Sequence, residues 1–180
     1  MNCSPTRKWK ILTWNVRGIN SEWKWNPVKN KIMDSACDVI CLQETKKEMF
    51  ESSFLRNISP TSIDSYVALP SVGASGGILV AWKSSMFEGQ QTFSNDFAIT
   101  VQFTSKHDGS RWDLTCVYGP CSVEGKISFT EWMKNYNLSE GEDWMILGDF
   151  NMIRSPEDRN RPGGTSMRCS DLIQPLAALV

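Results

Sequence analysis

The chain has 180 residues, 41% of them hydrophobic and 22% charged, with a formal net charge of −1. That balance suits one packed domain, or one domain cut short, and excludes disordered and collagen-like classes. A charge so near zero supplies no global field toward nucleic acid or membrane, so any phosphate binding must be local. No apolar run approaches the roughly 18 residues of a membrane-spanning helix, and the N-terminal MNCSPTRKWK lacks the apolar core of a secretory signal. The six cysteines, Cys3, Cys37, Cys41, Cys116, Cys121 and Cys169, show no paired CxxC spacing. Cys37, Cys41 and Cys116 sit in apolar runs, where a thiol packs as a small hydrophobe. This pattern reads as an intracellular, reducing setting with free thiols and no structural zinc. Eight tryptophans imply an aromatic-rich core.

In chain order, Lys10 to Val16 (KILTWNV) has the β-branched and aromatic composition of a strand. Asn26-Pro27 predicts a helix start, with Val28, Ile32, Met33 and Ala36 on its apolar face. Asp38 to Leu42 reads as a continuous apolar strand ended by Gln43-Glu44-Thr45. Glu48 to Ile58 predicts a short helix with Met49, Phe50, Phe54 and Leu55 inward. Tyr66 to Leu69 and Gly77 to Trp82 are strands joined by a Ser/Gly-rich turn. Phe97 to Phe103 and Trp112 to Val117 form a hairpin around His107-Asp108-Gly109. Ser128 to Tyr136 is helical, Trp144 to Leu147 is a strand, and Asp158 to Gly164 is a polar Arg/Pro/Gly loop. Ser170 to Val180 reads as a helix running to the last residue without a cap, the pattern of a cut end. Strands alternating with helices, yet sometimes adjacent, predict mixed sheets with helices packed outside them. No linker, repeat or low-complexity segment divides the chain.

The chemistry gathers where strands end. Trp14-Asn15 closes the first strand, Gln43-Glu44 the second, Val117-Tyr118 a later one, and Asp149-Phe150-Asn151 follows the last. Taken singly, each has an ordinary structural explanation. Asp149-Phe150-Asn151 could be a turn capping its own backbone, and Tyr118 a half-buried strand tyrosine. Together they supply Asn, Glu, Tyr, Asp and Asn, an oxygen set suited to a hard cation such as magnesium rather than zinc or copper. One carboxylate is enough for a magnesium that keeps most of its waters when a substrate phosphate completes the shell.

The segments ILTWNVRGIN, CLQET, GGILVAW, VYGP and GDFN resemble the exonuclease–endonuclease–phosphatase superfamily, which includes deoxyribonuclease I and the apurinic/apyrimidinic endonucleases. Within it the chain is most similar to the endonuclease domain of plant non-LTR (LINE-type) retrotransposons, through WNVRG, QET and the RNRPGG that follows GDFN. The resemblance runs from Lys10 to Val180, leaving residues 1–9 as an N-terminal tail. It implies a deoxyribonuclease I-like four-layer α/β sandwich, two mixed sheets flanked by helices, cleaving phosphodiesters with Mg2+, or Mn2+ in its place. It further implies Glu44 as the main metal ligand with Asn15 beside it, Tyr118 on the scissile phosphate, Asp149 orienting the attacking water, and Asn151 binding phosphate. Arg154, Arg159 and Arg161 could track a nucleic-acid backbone, or belong to a solvated loop. DNA is the implied substrate and a reverse transcriptase the implied companion in an intact element, with no membrane and no obligate protein partner.

The sequence also departs from that pattern. The superfamily ends in further strands and a Ser-Asp-His triplet, and neither is found before Val180. The single histidine, His107, stands in a turn without that context. Cys121 stands where LINE-like sequences often carry Asn. Arg17 replaces an acidic residue of the apurinic endonucleases, which favours the retrotransposon branch. The resulting expectation is a magnesium-dependent DNA endonuclease fold, incomplete at its C-terminus and weakly active or inactive on its own. Two alternatives are a non-catalytic remnant that binds metal, phosphate or nucleic acid, and, less favoured, a phosphomonoesterase or phosphoinositide phosphatase.

Overall fold

The computed structural model describes residues 8–51, 53–73, 75–136 and 143–152. The chain runs through β1 (Ile11–Asn15), a 3-10 turn (Glu22–Lys24), α1 (Trp25–Ser35), β2 (Val39–Gln43), α2 (Phe54–Ile58), β3 (Ser65–Val72) and β4 (Ser75–Trp82). It continues through β5 (Phe87–Ser94), β6 (Ala98–Ser105), β7 (Arg111–Tyr118), α3 (Val123–Asn135) and β8 (Asp143–Asp149). The described residues form two four-stranded sheets, in the orders β1-β2-β4-β3 and β5-β6-β7-β8. Both carry one parallel pair, β1 with β2 and β7 with β8, and their other pairs are antiparallel. Each parallel pair is joined through a helix, α1 in the first case and α3 in the second, so each sheet contains one βαβ unit.

The alternation of side chains along the strands builds the layers. From β2, Ile40 and Leu42 pack outward with Val28 and Ile32 of α1 and Phe54 and Ile58 of α2. Val39 and Cys41 point the other way, into the space between the sheets, with Val80, Val101, Phe103 and Leu114. On the far side, Ala98 and Val117 pack with Phe129 and Met133 of α3. The order is therefore helices, sheet, sheet, helix, the expected four-layer α/β sandwich. All five residues of β2 are buried. A strand covered on both faces must be continuously apolar, which is why VICL carries no alternation.

Several local expectations are corrected. The first helix begins at Trp25, so Asn26 and Pro27 lie in its first turn rather than at its cap. Proline is tolerated there because its missing N–H has no intrahelical acceptor. Met33 is 55% exposed, and Ala36 ends the helix with φ +48, so the buried face reduces to Val28 and Ile32. The helix expected from Glu48 shrinks to Phe54–Ile58, with Met49 exposed and Phe50 edge-on against Phe54. The third helix starts earlier than Ser128, at Val123, where the Ser122 hydroxyl accepts from the Gly125 N–H at 3.2 Å. Strand β5 (FEGQQTFS) was not expected; it is a polar edge strand with a register shift at Gln91/Phe93. Cys37, Cys41, Cys116 and Cys121 are free thiols, and burial pushes Cys41 well above an ordinary thiol. No described helix is long and apolar enough to cross a membrane. Cys3, Cys169, Arg154, Arg159, Arg161, the Asp158 to Gly164 loop and the Ser170 to Val180 helix lie outside the described residues.

Candidate functional site at the strand ends

Parallel strands finish at the same level, and register fixes who meets whom. Asn15 is paired with Gln43, so Glu44 follows directly beside Asn15. Tyr118 is paired with Asp149 in the second sheet. The C-terminal ends of both βαβ units open on the same side of the sandwich. A hydrogen bond joins them: Asn15 Nδ2 donates to Asp149 Oδ2 at 2.7 Å, from the outer strand of one sheet to the outer strand of the other.

The GDFN turn is built so that Asp149 can be there. Its second oxygen, Oδ1, accepts from the Asn151 N–H at 3.0 Å, the local turn that Asp favours. Asn151 adopts φ +50, and its Nδ2 donates to the Gly119 carbonyl at 2.7 Å. Gly119 N–H donates in turn to the Asp149 carbonyl at 2.7 Å. A Cβ on Gly119 would run into the Phe150 carbonyl, and one on Gly148, at φ +140, into the Val117 carbonyl. The turn caps its own backbone, one of the two readings open in the sequence, and at the same time brings the Asp149 carboxylate to Asn15.

On the first sheet, pairing continues beyond the strands. Val16 N–H donates to Gln43 O at 3.0 Å, Gly18 N–H to Glu44 O at 2.6 Å, and Ile19 N–H to Thr45 O at 2.9 Å. Glu44 sits at φ +54 within this ladder, and its Oε1 pairs with Lys46 Nζ at 3.1 Å. Asn15 Oδ1 accepts from the Arg17 N–H at 3.0 Å, which fixes the carboxamide with its amino group toward Asp149.

Tyr118 reports on the whole cluster. Its phenol is pushed above the usual value of 10.0, first by burial, then by the negative fields of Glu44, Cys121 and Asp149. A hydrogen bond from Asn151 offsets part of that rise. The hydroxyl is thus a neutral donor at neutral pH, and both carboxylates act on it. Beside it opens a cleft of about 690 Å³, walled by Leu69, Pro70 and Val72 on one side and Phe97, Pro120 and Ser122 on the other.

The structure brings Asn15, Glu44, Tyr118, Asp149 and Asn151 together. It does not bring His107 there. That residue follows β6 at the other end of the β6–β7 hairpin, its N–H on the Ser105 hydroxyl. Strand β7, eight residues long and ending at Tyr118, lies between them and spans roughly 25 Å at strand rise. Lys46, Gly119 and Gly148 were not singled out in the sequence, though Lys46 stands only two places after Glu44. Among the described residues no group of three or more His, Cys, Asp or Glu side chains stands close enough to hold a metal ion.

The layered sandwich and its strand-end cluster define the class, a deoxyribonuclease I-like α/β fold. The chain belongs to the Endonuclease/Exonuclease/phosphatase family, whose model matches residues 12–171. Among solved structures it is similar to the AP endonuclease LMAP from Leishmania major, at 20% identity and a TM-score of 0.63, over 89% of this chain and 60% of that one. The Xenopus laevis APE2 catalytic domain is similar at 19% identity and a TM-score of 0.58, over 94% of this chain and 67% of that one. A mannosyl-6-phosphatase from Bacteroides thetaiotaomicron follows at 13% identity and a TM-score of 0.58, over 81% and 66%. At these identities the likeness is one of fold, and the chain spans about three fifths of the first protein's length. No curated protein matches the sequence.

Proposed function

We propose that the strand ends form the cation- and phosphate-holding centre of a magnesium-dependent phosphodiester hydrolase acting on DNA. WNVRG, QET and RNRPGG favour an origin in a plant LINE-type retrotransposon, within a domain spanning residues 10–180. The observation that carries the reading is the Asn15–Asp149 hydrogen bond, because it ties two sheets into one polar site. The donor set fits a hard cation: the Glu44 and Asp149 carboxylates and the Asn15 carboxamide are all oxygen donors. Glu44 and Asn15 would hold the ion, which supplies positive charge against the developing phosphorane. Asp149, oriented through Asn15 and the Asn151 N–H, aligns a water for attack and takes its proton. Tyr118, kept protonated, and the Asn151 carboxamide donate to the phosphate oxygens. Arg154, Arg159 and Arg161 would contact the flanking DNA backbone, and a reverse transcriptase would act on the nicked product. The compartment would be intracellular and reducing, as the free thiols suggest.

His107 favours the second reading, a site that binds but barely turns over. Loss of one positioned donor at a phosphorane costs about 3 kcal/mol, on the order of a hundred- to a thousand-fold in rate. The 180-residue chain should therefore nick supercoiled plasmid slowly in Mg2+, and Glu44→Ala should abolish what remains. Robust nicking lost in that variant would show that this site works without a histidine. Cleavage unaffected by Glu44→Ala and Asp149→Ala would remove the site from the reaction. Preferential release of phosphate from a phosphomonoester would move the substrate class toward the phosphatases.

A further inference from the structure

The Glu44–Lys46 ion pair joins two side chains that the backbone aims at one another. Glu44 and Lys46 both have left-handed backbone, φ +54 and φ +56, a conformation that costs energy for any residue but glycine. Neither end of Lys46 is loose. Its N–H donates to Gly76 O at 3.1 Å, and its carbonyl accepts from Asn20 Nδ2. Its methylene stem lies over Gly18, so close that a Cβ there would meet Lys46 Cδ at 3.1 Å. The ammonium is thereby delivered to Glu44 Oε1 at 3.1 Å, while its side chain stays 37% exposed against 19% for Glu44. A solvated surface lysine would have no such anchoring.

Resting on the proposed role of Glu44, we infer that Lys46 is a built-in competitor for the cation position and a mobile cation for the substrate. A divalent ion and an ammonium cannot share one carboxylate at contact distance without strong mutual repulsion. Binding of the divalent ion at Glu44 therefore expels the Lys46 ammonium. The anchored stem confines it to the mouth of the site, where the next anionic group to arrive is a phosphodiester. The lysine thus weakens binding of the ion and strengthens binding of the substrate once the ion is bound. Opposite effects on the two affinities separate this role from a merely structural one.

The test is calorimetric titration of Mn2+ into the 180-residue chain and its Lys46→Gln, Lys46→Arg and Glu44→Gln variants, with near-UV circular dichroism confirming the fold. Glutamine keeps the stem over Gly18 and removes the charge. Lys46→Gln should bind Mn2+ about three- to five-fold more tightly, the size of a partly exposed ion pair, with Lys46→Arg near wild type. The same Lys46→Gln protein in Ca2+ should bind a fluorescein-labelled DNA duplex about two- to five-fold more weakly and with a shallower salt dependence. Unchanged or weaker Mn2+ binding by Lys46→Gln overturns the competition, and so does unchanged DNA binding. If wild type and Glu44→Gln bind Mn2+ alike, the cation site itself fails, a distinct result.

Discussion

The two βαβ units face each other across the sandwich, yet they hold their C-terminal strand ends in different ways. In β1-α1-β2 the strand pairing simply continues: three further backbone hydrogen bonds carry the ladder through Val16, Gly18 and Ile19. Glu44 is held by that ladder and by Lys46. In β7-α3-β8 the ends are held by glycines and side-chain caps, with Gly119 and Gly148 letting backbones touch and Asp149 and Asn151 bonding to them. The first unit presents charge on a rigid ladder. The second presents an aromatic hydroxyl and a carboxylate on a turn. Sensitivity to small steric changes should therefore concentrate in the second.

The largest effect should come from Gly148→Ala. The new methyl would strike the Val117 carbonyl at a backbone angle, φ +140, that alanine rarely adopts. We expect a loss of about 3 kcal/mol in urea unfolding. A loss below about 1 kcal/mol would mean the turn relaxes easily and the contrast between the units is false.

Next is the bond between the units. Asn15→Ala removes a charge-assisted, partly buried hydrogen bond and leaves Asp149 Oδ2 without its donor. The expected cost is about 2 kcal/mol in the same measurement. Asn15→Asp should be worse near neutral pH, because it sets two carboxylates against each other, and should recover as acid protonates one of them.

The smaller effects lie in titration. Tyr118 is one of three tyrosines. With its folded pKa raised above 10.0, its contribution to stability is complete below pH 10 and fades as pH rises through the folded value. Ultraviolet titration of tyrosinate should show a late component that is missing in Tyr118→Phe. A component absent from both proteins would place the hydroxyl outside the field of Glu44 and Asp149. Smallest of all, His107→Ala should change stability by less than about 0.5 kcal/mol and leave cation binding untouched, since it lies at the far end of β7.

Much of this arrangement was legible because strand ends announce themselves. VICL, LTCV and MIL stop abruptly at Gln43, Tyr118 and Asp149, and parallel pairing then brings those stops level. What was not legible is tertiary. Strand β5 is a polar edge whose Phe87 alone is buried at its start, so its composition resembles a loop. Helix α1 starts directly after the 3-10 turn Glu22–Lys24, and its first residue, Trp25, packs edge-on against Phe54, across a sequence gap no local rule spans. Gly119 and Gly148 matter because of carbonyls from other segments, and a lone glycine in a sequence does not say what approaches it. Lys46 looks like a solvated charge until the left-handed backbone at Glu44 and Lys46 turns both side chains to one point.

The central claim is that the two units share one cation site, and a double-mutant cycle tests it most directly. Mn2+ affinity should be measured for wild type, Glu44→Gln, Asp149→Asn and the double variant. If the carboxylates act on one ion and its bound water, the losses are non-additive, with a coupling of about 1 kcal/mol or more. Strict additivity, or Mn2+ binding indifferent to Asp149, would contradict the claim and leave the Asn15–Asp149 bond as a structural tie alone.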